Sequence, residues 1–533
     1  MMSVALLLGG VIIVASILCN KLTDKFGVPA LIAFIGLGML FGTDGLFKIP
    51  FENYAFAEDI CVTALIFIMF YGGFGTKWSA ARPVAVKSVL LSSVGVLLTA
   101  VLTGLFCHYA FGLEMFEGML IGAVLSSTDA ASVFSVLKKN KLSLKYNTDS
   151  MLELESGSND PCSYMLTLLI IEFMSKDIST GYVVLMVFRE IFVGILLGVA
   201  IAMGAGWFLK KFKFESDGFD SVFMIAVALI GYALPTTLGG NGFLSVYIVG
   251  ILLGNTKISH KKSMVHFFDG LTELMQIIIF FLLGLLATPS CIPETIVLSV
   301  AVFLFLLIIA RPFSIAVLLL PFRAKLNQIA VVSWAGLRGA ASIVFAIMVT
   351  IGDVYTKNDV FHVTLTVVLL SIALQGTLLP YVAKKLNMID SCGDIMKTFS
   401  DYSDDEDIQF IKLEIDSGHK WIGKSVKEIS LIPGMLLVLV RRGRTAILPN
   451  GDTVFEEGDV AVLSATGYHD RGDSITMREI EITSKHKWNN KAVSELNLNE
   501  NTLLLMIRRG NGTVIPRGDT VIQNKDVVIT GQL

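Results

Sequence analysis

The chain has 533 residues, of which 54% are hydrophobic and only 16% are charged, and its mean hydropathy is +0.70. Soluble domains contain about 45–50% apolar and about 25% charged residues, so the composition excludes an ordinary soluble protein and predicts a membrane protein. The net charge of −3 favours neither a nucleic-acid partner nor a polybasic membrane anchor. The six cysteines stand singly, without the spacing of a metal site or of a disulfide framework, and are predicted to be small buried hydrophobic residues.

Crossing the hydrocarbon core of a bilayer takes about 20 apolar residues in a helix. Thirteen candidate spans lie near 2–19, 28–46, 58–74, 87–111, 115–137, 150–174, 181–209, 218–236, 240–256, 265–288, 294–320, 328–352 and 359–383. The first has neither a basic n-region nor a small-residue cleavage site, so we interpret it as a membrane span rather than a secretory signal. The sequence therefore predicts an all-α polytopic membrane protein with about 13 transmembrane helices.

The basic residues alternate between the two sides of these spans. Loops after odd-numbered spans hold nineteen Lys or Arg residues, whereas loops after even-numbered spans hold only Lys48, Lys176 and Lys357. Cytoplasmic loops collect Lys and Arg. The expected orientation in the inner membrane therefore has the N-terminus outside and the C-terminal region in the cytoplasm.

Span five carries a polar cluster, Leu125-Ser126-Ser127-Thr128-Asp129-Ala130-Ala131-Ser132, in an otherwise apolar run. Ser, Thr and Asp side chains compete for backbone hydrogen bonds and so weaken a helix at this point. A locally unwound helix would turn backbone carbonyls and a half-helix terminus toward an ion, as in many secondary transporters. The alternative is a helix–helix contact in which the hydroxyl groups hydrogen-bond across the interface.

Span six carries three carboxylates within eight residues, in the segment Glu153-Leu154-Glu155-Ser156-Gly157-Ser158-Asn159-Asp160. Glu153 lies one turn from the cytoplasmic end, where it is either functional or simply solvated. Asp160 lies deeper, and a carboxylate removed from water tends to hold a proton, whereas a cation at the same place favours its ionised form. Competition of a proton and a cation for one carboxylate is a simple basis for coupled exchange. The alternative for Asp160 is a buried carboxylate in a fixed ion pair.

Span twelve carries Arg338 between Gly336 and Gly339, and its charge requires an acidic or carbonyl partner. Arg189 in span seven and Arg311 before Pro312 also lie in apolar runs, where structural ion pairing or capping is the preferred interpretation. Spans five and twelve carry their polar interruptions at matching positions of two six-span halves. Because one span separates the halves, they are predicted to be inverted repeats with broken helices, the architecture of an alternating-access carrier.

Three motifs resemble those of the NhaP-type cation/proton antiporters, within the monovalent cation:proton antiporter superfamily. They are Ser127-Thr128-Asp129-Ala130-Ala131, Glu155-Ser156-Gly157-Ser158-Asn159-Asp160-Pro161 and Gly336-Leu337-Arg338-Gly339-Ala340. The branch that the chain most resembles is that of the potassium/proton antiporters also called cell volume regulation protein A. The resemblance covers residues 1–390 and implies a homodimer in the lipid bilayer, in which a mobile core slides against a dimerisation scaffold.

The resemblance also implies roles for individual residues. Asp160 would bind cation and proton alternately, Thr128, Ser156 and Asn159 would be ligands or supports, and Asp129 would sit at the crossing of the broken helices. Glu155 would form a structural ion pair with Arg338. Asn159, in place of a second acid before Asp160, resembles the electroneutral members, which implies one proton per cation. Relatives often carry an acidic residue in span three, where this chain has Tyr71, and that difference leaves ion choice and accessory coordination open.

The region after the last span starts with an acidic segment, residues 391–410, which is interpreted as a solvated linker. Beyond it the sequence repeats with a constant offset of about 67 residues. The repeated elements are Lys420-Trp421 with Lys487-Trp488, Arg441-Arg442-Gly443 with Arg508-Arg509-Gly510, and Gly451-Asp452-Thr453-Val454 with Gly518-Asp519-Thr520-Val521. Strand-like runs at 435–440 and 502–507 alternate with turn signals, and 426–431 is typical of a short helix. The repeat predicts two small α+β domains, at 411–470 and 478–533.

Both copies resemble the C-terminal (TrkA-C) half of the RCK domains that regulate potassium conductance. In that family such domains dimerise and bind small ligands, of which cyclic di-AMP is one candidate. Arg441, Arg442, Arg508 and Arg509 are candidates for gripping an anionic ligand. The alternative is a surface charge pair beside a turn in each copy.

The sequence favours a secondary transporter over other classes. No GxxxxGK[ST] loop of an ATP-driven pump is present. A tail-gated cation channel is an alternative, but channel filters are usually built from carbonyls or rings of charge. A non-transporting ion sensor is a third possibility. The expected function is therefore monovalent cation/proton antiport without a cofactor, of K⁺ on the family branch, with Na⁺ remaining open.

Overall fold

A computed structural model gives the structure of the chain. It describes residues 2–26, 29–140, 142–175, 179–212, 217–256, 258, 261–352, 354–390, 408–415, 419–429, 431, 435–443, 445–466, 476–482, 484, 486–496, 502–509, 512–514, 516 and 518–532. The chain forms two compact units, Met1–Ser403 and Asp404–Leu533, which we describe separately. Residues 391–407 of the predicted acidic linker lie outside the described residues.

The described residues of the first unit form nineteen α-helices. In chain order they are α1 (Met2–Phe26), α2 (Ala30–Phe41), α3 (Tyr54–Gly75), α4 (Trp78–Ala81), α5 (Ala85–Leu90), α6 (Val96–Phe111), α7 (Met115–Val124), α8 (Ala130–Lys139), α9 (Thr148–Ser175), α10 (Thr180–Lys211), α11 (Asp217–Thr237), α12 (Gly242–Gly254), α13 (Lys261–Leu286), α14 (Ile292–Phe305), α15 (Arg311–Leu319), α16 (Leu326–Trp334), α17 (Ala340–Ile351), α18 (Val360–Leu370) and α19 (Thr377–Lys385).

Each of the thirteen predicted spans corresponds to one of these helices or to two successive ones. Within the described residues, seven helical segments are long and apolar enough by themselves to cross a membrane: Tyr54–Gly75, Ala85–Phe111, Gly181–Lys211, Gly218–Thr237, Ser263–Leu286, Pro289–Phe322 and Val360–Lys385. The remaining spans are shorter, broken or interrupted by polar groups. The prediction of an all-α polytopic membrane protein is confirmed.

Spans five and twelve are broken at the predicted positions. Helix α7 ends at Val124 and α8 begins at Ala130, while α16 ends at Trp334 and α17 begins at Ala340. We call residues 125–129 the span-five break and residues 335–339 the span-twelve break. The first contains side chains that compete for helical hydrogen bonds, and the second contains two glycines, so both sequences favour the loss of helix that the structure shows.

Three spans contain a π-helical turn in which the helix widens. The turns are Leu91–Gly95 between α5 and α6, Leu306–Ala310 between α14 and α15, and Ser371–Gly376 between α18 and α19. The first two lie in spans four and eleven, which occupy equivalent positions in the two halves, as expected of a repeat. Such turns are frequent at functional sites because they rotate the side chains that follow.

Close helix packing depends on small residues at two crossings. A Cβ atom at Gly38 of α2 would overlap the carbonyl oxygen of Phe281, and one at Gly284 of α13 would overlap that of Ile35. Glycines of α3 and α12 meet in the same way. Small residues let backbones approach where lipid removes the hydrophobic gain of helix association.

A buried ion pair joins α9 to α15. The Nη2 atom of Arg311 lies 2.5 Å from Oε1 of Glu155, and the two side chains are 3% and 0% exposed. This corrects the predicted pairing of Glu155 with Arg338. The π-helical turn that precedes Arg311 brings this side chain to α9, whereas Arg338 reaches a backbone carbonyl instead. The structural ion pairing expected for Arg311 is therefore present.

The second unit contains two antiparallel four-stranded sheets of the same topology. The strands are β1 (Ile408–Glu414), β2 (Met435–Arg442), β3 (Thr445–Ile447), β4 (Asp459–Thr466), β5 (Thr476–Glu481), β6 (Thr502–Arg509), β7 (Gly512–Val514) and β8 (Val527–Gln532). Their orders are β1-β4-β2-β3 and β5-β8-β6-β7, and a single helical turn stands at Val426–Glu428 and at Val493–Glu495. The structure thus repeats as the sequence does.

An Arg–Asp pair anchors each of these sheets. Nε and Nη2 of Arg442 each lie 2.8 Å from a carboxylate oxygen of Asp459, which also accepts the backbone N–H of Glu456. Arg509 holds Asp526 in the same way, at 2.9 and 2.8 Å. The two-point hydrogen bond with Arg442 keeps the pKa of the Asp459 carboxyl below its usual range.

The Glu155–Arg311 pair generates a prediction about the membrane unit. Glu155→Gln leaves the Arg311 charge buried without its anionic partner, so we expect a loss of about 3–5 kcal/mol and a lower unfolding midpoint of the purified chain. The double variant Glu155→Gln/Arg311→Met removes both charges and should recover most of the loss. Glu114→Gln, at an exposed position before α7, is the control. A single variant as stable as the unmodified chain would contradict this account.

The Arg442–Asp459 pair generates a second prediction. Asp459→Asn should destabilise the first sheet by about 2 kcal/mol, measured as faster hydrogen exchange of β2 and β4 in the full chain. Asp452→Asn removes an exposed pair with Lys427 and should change exchange little. Since the folded-state pKa of Asp459 is lowered, its contribution is complete above the unfolded-state pKa of about 3.9 and is lost as the pH falls through the folded-state pKa. Equal exchange in both variants at neutral pH would refute the prediction.

Candidate functional site

The span-five and span-twelve breaks cross and hydrogen-bond to each other. The backbone N–H of Asp129 donates to the carbonyl of Leu337 at 2.8 Å, and Nη1 of Arg338 donates to the carbonyl of Ser127 at 2.7 Å. A Cβ atom at Gly339 would overlap the side chain of Asp129, so only glycine permits this approach. The crossing gives these backbone groups the partners that a helix would otherwise supply.

Each charged residue at the crossing has the sign of charge that the adjacent helix terminus favours. Asp129 directly precedes α8 and accepts hydrogen bonds from the hydroxyl and backbone N–H of Ser132, so its negative charge lies at a positive helix terminus. Arg338 is 3% exposed and follows the C-terminus of α16, where a cation is favourable. Its backbone N–H donates to the Ser371 hydroxyl at 3.0 Å, within the third π-helical turn.

Asp160 lies on α9 beside the span-five break. One oxygen of its carboxylate accepts the hydroxyl proton of Ser127. The side chain is half-buried and lines a cavity. Pro161 follows within the helix and has no N–H to donate, which leaves the carbonyl of Gly157 without its usual intrahelical partner.

Thr128, Ser156 and Asn159 form a hydrogen-bonded chain that ties the break to α9. Nδ2 of Asn159 donates to the Thr128 hydroxyl at 2.5 Å, and that hydroxyl lies 3.0 Å from the hydroxyl of Ser156. All three residues are buried, and Oδ1 of Asn159 has no hydrogen-bond partner among the described residues. The structure thus brings Asp160 and the three predicted supports together around one break.

A cavity of about 360 Å³ reaches Asp160 from one side, and it has room for a cation with several waters. Its lining is partly apolar, with Leu65, Met69 and Phe280 among its walls, and carries six carboxylates: Asp129, Asp149, Glu153, Asp160, Asp269 and Glu273. Among the described residues, no three acidic, His or Cys side chains come close enough to form a metal centre. The carboxylates instead form a negatively charged route, which favours a cation over an anion.

Sequence reasoning did not identify Asp149, Asp269 and Glu273 as members of this route, and Asp269 of α13 is the one that contacts span three. The Tyr71 hydroxyl donates to its Oδ1 at 3.1 Å, so a carboxylate reaches span three at the place where relatives often carry an acid. The only available signal was an acidic residue within an apolar run. Ser127, which contacts Asp160, was read as part of its motif but not as a contact of the carboxylate.

The four tail arginines do not form one group. Arg442 and Arg509 are committed to the internal pairs described above, while Arg441 is exposed on β2. Arg508 lies at the equivalent position on β6, and its side chain is outside the described part of the chain. Of the described side chains among these four arginines, that of Arg441 therefore remains available to an anionic ligand.

Comparisons with known proteins agree with this geometry. The family described as sodium/hydrogen exchanger, transmembrane, matches residues 10–385, and the TrkA-C domain matches residues 410–467 and 477–529. The chain is 32% identical to the K(+)/H(+) antiporter NhaP2 of Shewanella sp. (strain ANA-3) over 464 residues, which cover 85% of this chain and 80% of that protein. It is 34% identical to the K(+)/H(+) antiporter NhaP of Alkalimonas amylolytica over 389 residues, covering 72% and 67%.

A solved structure shows the same fold. The sodium proton antiporter MjNhaP1 of Methanocaldococcus jannaschii superposes with a TM-score of 0.64 at 22% identity, covering 72% of this chain and 99% of that one. The family match includes the transmembrane helices, the crossing and Asp160. The two TrkA-C matches follow it along the chain. The chain therefore belongs to the sodium/hydrogen exchanger family and is a cation/proton antiporter, a secondary transporter rather than an enzyme, with a tandem TrkA-C tail.

Proposed function

We propose that Asp160 is the carboxylate at which a cation and a proton compete, and that K⁺ is the transported cation. The observation that carries the proposal is the position of Asp160: it contacts the span-five break and lines the cavity. The hydroxyls of Ser127, Thr128 and Ser156 supply neutral oxygen atoms close to it. Carboxylate and hydroxyl oxygens are the ligands that a hard monovalent cation prefers.

Coupling follows from the cost of moving a bare charge through a low-dielectric interior. With a cation or a proton bound, Asp160 is electrically neutral. The site can then switch between access from the cytoplasm and access from the outside. The empty, ionised site carries an uncompensated charge that is expensive to remove from water. Each change of access therefore requires that either the cation or the proton be bound at Asp160.

The charges around Asp160 support an electroneutral exchange. Glu155 is balanced by Arg311, and the crossing contributes one acid and one base, Asp129 and Arg338. Asn159 adds hydrogen-bonding groups but no charge. We assign the titration to Asp160, which takes one cation or one proton per half-cycle.

The choice of K⁺ rests on the relatives and on the tail. Two relatives at 32% and 34% identity are K(+)/H(+) antiporters by name, whereas a relative at 25% identity is a probable Na(+)/H(+) antiporter. TrkA-C domains resemble regulators of potassium conductance. Na⁺ remains the alternative substrate, and the liposome assay below separates the two when K⁺ and Na⁺ are added in turn.

The proposed orientation makes the cavity a cytoplasmic entrance. It is lined by Asp149, Glu153 and Asp160 of α9, which begins beside the Lys-rich loop at 138–145. The positive-inside distribution of Lys and Arg supports an inner-membrane protein with an outer N-terminus and a cytoplasmic tail. The described state is then open toward the cytoplasm.

We also propose a homodimer, as the family implies. Helix α10 presents an exposed apolar stripe at four-residue spacing, formed by Val184, Phe188, Phe192 and Leu196, which are 52–65% exposed. Such a stripe suits lipid or the same face of a second copy. In the tail, an anionic regulator such as cyclic di-AMP would contact the exposed Arg441 rather than the committed Arg442.

One transport prediction concerns Asp160. Purified protein in liposomes with a trapped pH dye and an imposed proton gradient should exchange K⁺ for H⁺, without requiring a charge-compensating ionophore. Asp160→Asn should reduce exchange to the level of empty liposomes, because an amide carries no negative charge and takes up no proton at neutral pH. Glu114→Gln should exchange normally. If the Asn variant exchanges as the unmodified chain does, Asp160 is not the coupling site; K⁺ flux without H⁺ movement would favour the channel alternative.

Another transport prediction concerns Asp269. Asp269→Asn removes one charge from the cytoplasmic route, so local cation concentration should fall and the cytoplasmic KM for K⁺ should rise about 3–10-fold at low ionic strength. The maximal rate should stay within about two-fold, and the effect should shrink in high salt, because salt screens exposed charges. Tyr71→Phe keeps the charge and should change KM less. A KM that is unchanged at low salt would show that Asp269 does not attract the cation.

A further inference from the structure

The side of Asp160 away from the cavity is closed by aromatic rings. Tyr164 lies four residues beyond Asp160 on α9, one helical turn or about 6 Å toward the end at Ser175. Its ring lies 5.0 Å from that of Phe243 on α12 and 5.9 Å from that of Phe345 on α17. Phe243 and Phe345 are fully buried, and Tyr232 of α11 packs on Phe243 at 4.9 Å. We call these four residues the aromatic layer.

A buried carboxylate stands beside this layer. Glu190 of α10 is 7% exposed, and its Oε2 atom has no hydrogen-bond partner among the described residues. The adjacent cation, Arg189, donates from Nε and Nη2 to the carbonyl of Leu238 at 3.2 and 2.9 Å. A buried carboxylate without a cationic partner is costly unless it holds a proton or a cation.

Glu190 is tied to α9 and to the start of α12, the helix that carries Phe243 of the layer. Asn241 joins α10 to α9: its N–H donates to the Glu190 carbonyl at 3.0 Å, and its Nδ2 donates to the Pro161 carbonyl at 2.9 Å. Pro161 is the residue after Asp160, so the backbones that carry the two carboxylates are linked through one residue, Asn241.

We propose that Glu190 is an external relay carboxylate for this exchanger. It takes up the proton or cation from the outside and passes it to Asp160 when the aromatic layer opens. The titratable groups of the layer are Tyr164 of α9 and Tyr232 of α11, with Glu58 of α3 close to both and Arg189 turned away on its own helix. We assign the layer the role of a barrier to transfer between the two carboxylates, while the cavity lined by Asp160 is open on the proposed cytoplasmic side.

The proposal rests on the proposed function of Asp160 and on the proposed orientation. It gives the outer half of the route its own acidic group, as Asp269 does for the inner half. A purely structural Glu190 would support α10 without favouring either face of the membrane. The two roles therefore differ in sidedness.

The test is transport by the full chain in proteoliposomes of known orientation, with K⁺ varied on one face at a time. Glu190→Gln should raise the external KM for K⁺ about 5–10-fold and shift the external pH profile, while the cytoplasmic KM stays within about two-fold. Glu190→Asp keeps the charge and should restore part of the external affinity. Glu294→Gln, at an exposed position of α14 on the same side, is the control.

Two outcomes would overturn the relay: equal changes on both faces, or no change on either. Asp160→Asn in the same assay keeps the two proposals distinguishable. If Asp160→Asn is inactive while Glu190→Gln acts equally on both faces, only the relay fails. If Asp160→Asn still exchanges, the proposed coupling site fails, whatever Glu190 does.

The aromatic layer supplies an independent measurement should Glu190→Gln fold poorly. Phe345→Leu should thin the layer and allow a slow proton leak without K⁺. Phe361→Leu is a matched control, because Phe361 is equally buried but packs on Tyr54 instead. A leak in the first variant only would support the outer barrier; an equal leak in both variants, or none in either, would contradict it.

Discussion

Two stretches of peptide without helical hydrogen bonds cross inside a unit that otherwise consists of helices. In a hydrocarbon setting, their backbone groups need partners from the protein, since each unsatisfied group costs several kcal/mol. The crossing supplies them: Asp129 N–H meets the Leu337 carbonyl, and Arg338 meets the Ser127 carbonyl. Both breaks persist because each satisfies the other, and Gly339 is needed for their approach. The position of every other group at the site follows from this contact.

The crossing also determines the charge around Asp160. Four half-helix ends meet there, and Asp129 and Arg338 carry charges that suit the ends beside them. Glu155 and Arg311 add a second balanced pair nearby, held by a π-helical turn. Under the proposed function, a proton or a cation bound at Asp160 would change the charge of the site by the same amount.

The surroundings of Asp160 differ on its two sides along the membrane normal. Toward one side an acidic cavity leads to the carboxylate, whereas one helical turn along α9 in the other direction Tyr164 packs against the buried rings of Phe243 and Phe345. Helix α9 carries Asp149, Glu153, Asp160 and Tyr164 along this route, so a displacement of that helix would act on both sides at once. The tail is built differently, from two copies of one sheet, each anchored by an Arg–Asp pair.

The sequence by itself determined the features that depend on local chemistry. Thirteen spans, two breaks and a tail repeat of 67 residues follow from runs of apolar residues, from clustered Ser, Thr, Asp and Gly, and from recurring motifs. The grouping of Thr128, Ser156 and Asn159 near Asp160 was also predictable, because the motifs lie at similar depths. Only the tertiary structure decided which partner each polar group has. Arg311 rather than Arg338 meets Glu155, Ser127 meets Asp160, Tyr71 meets Asp269, and Arg442 turns to Asp459. These partners come from different helices, and which side chains meet depends on helix rotation and on π-helical turns that leave no clear sequence signal.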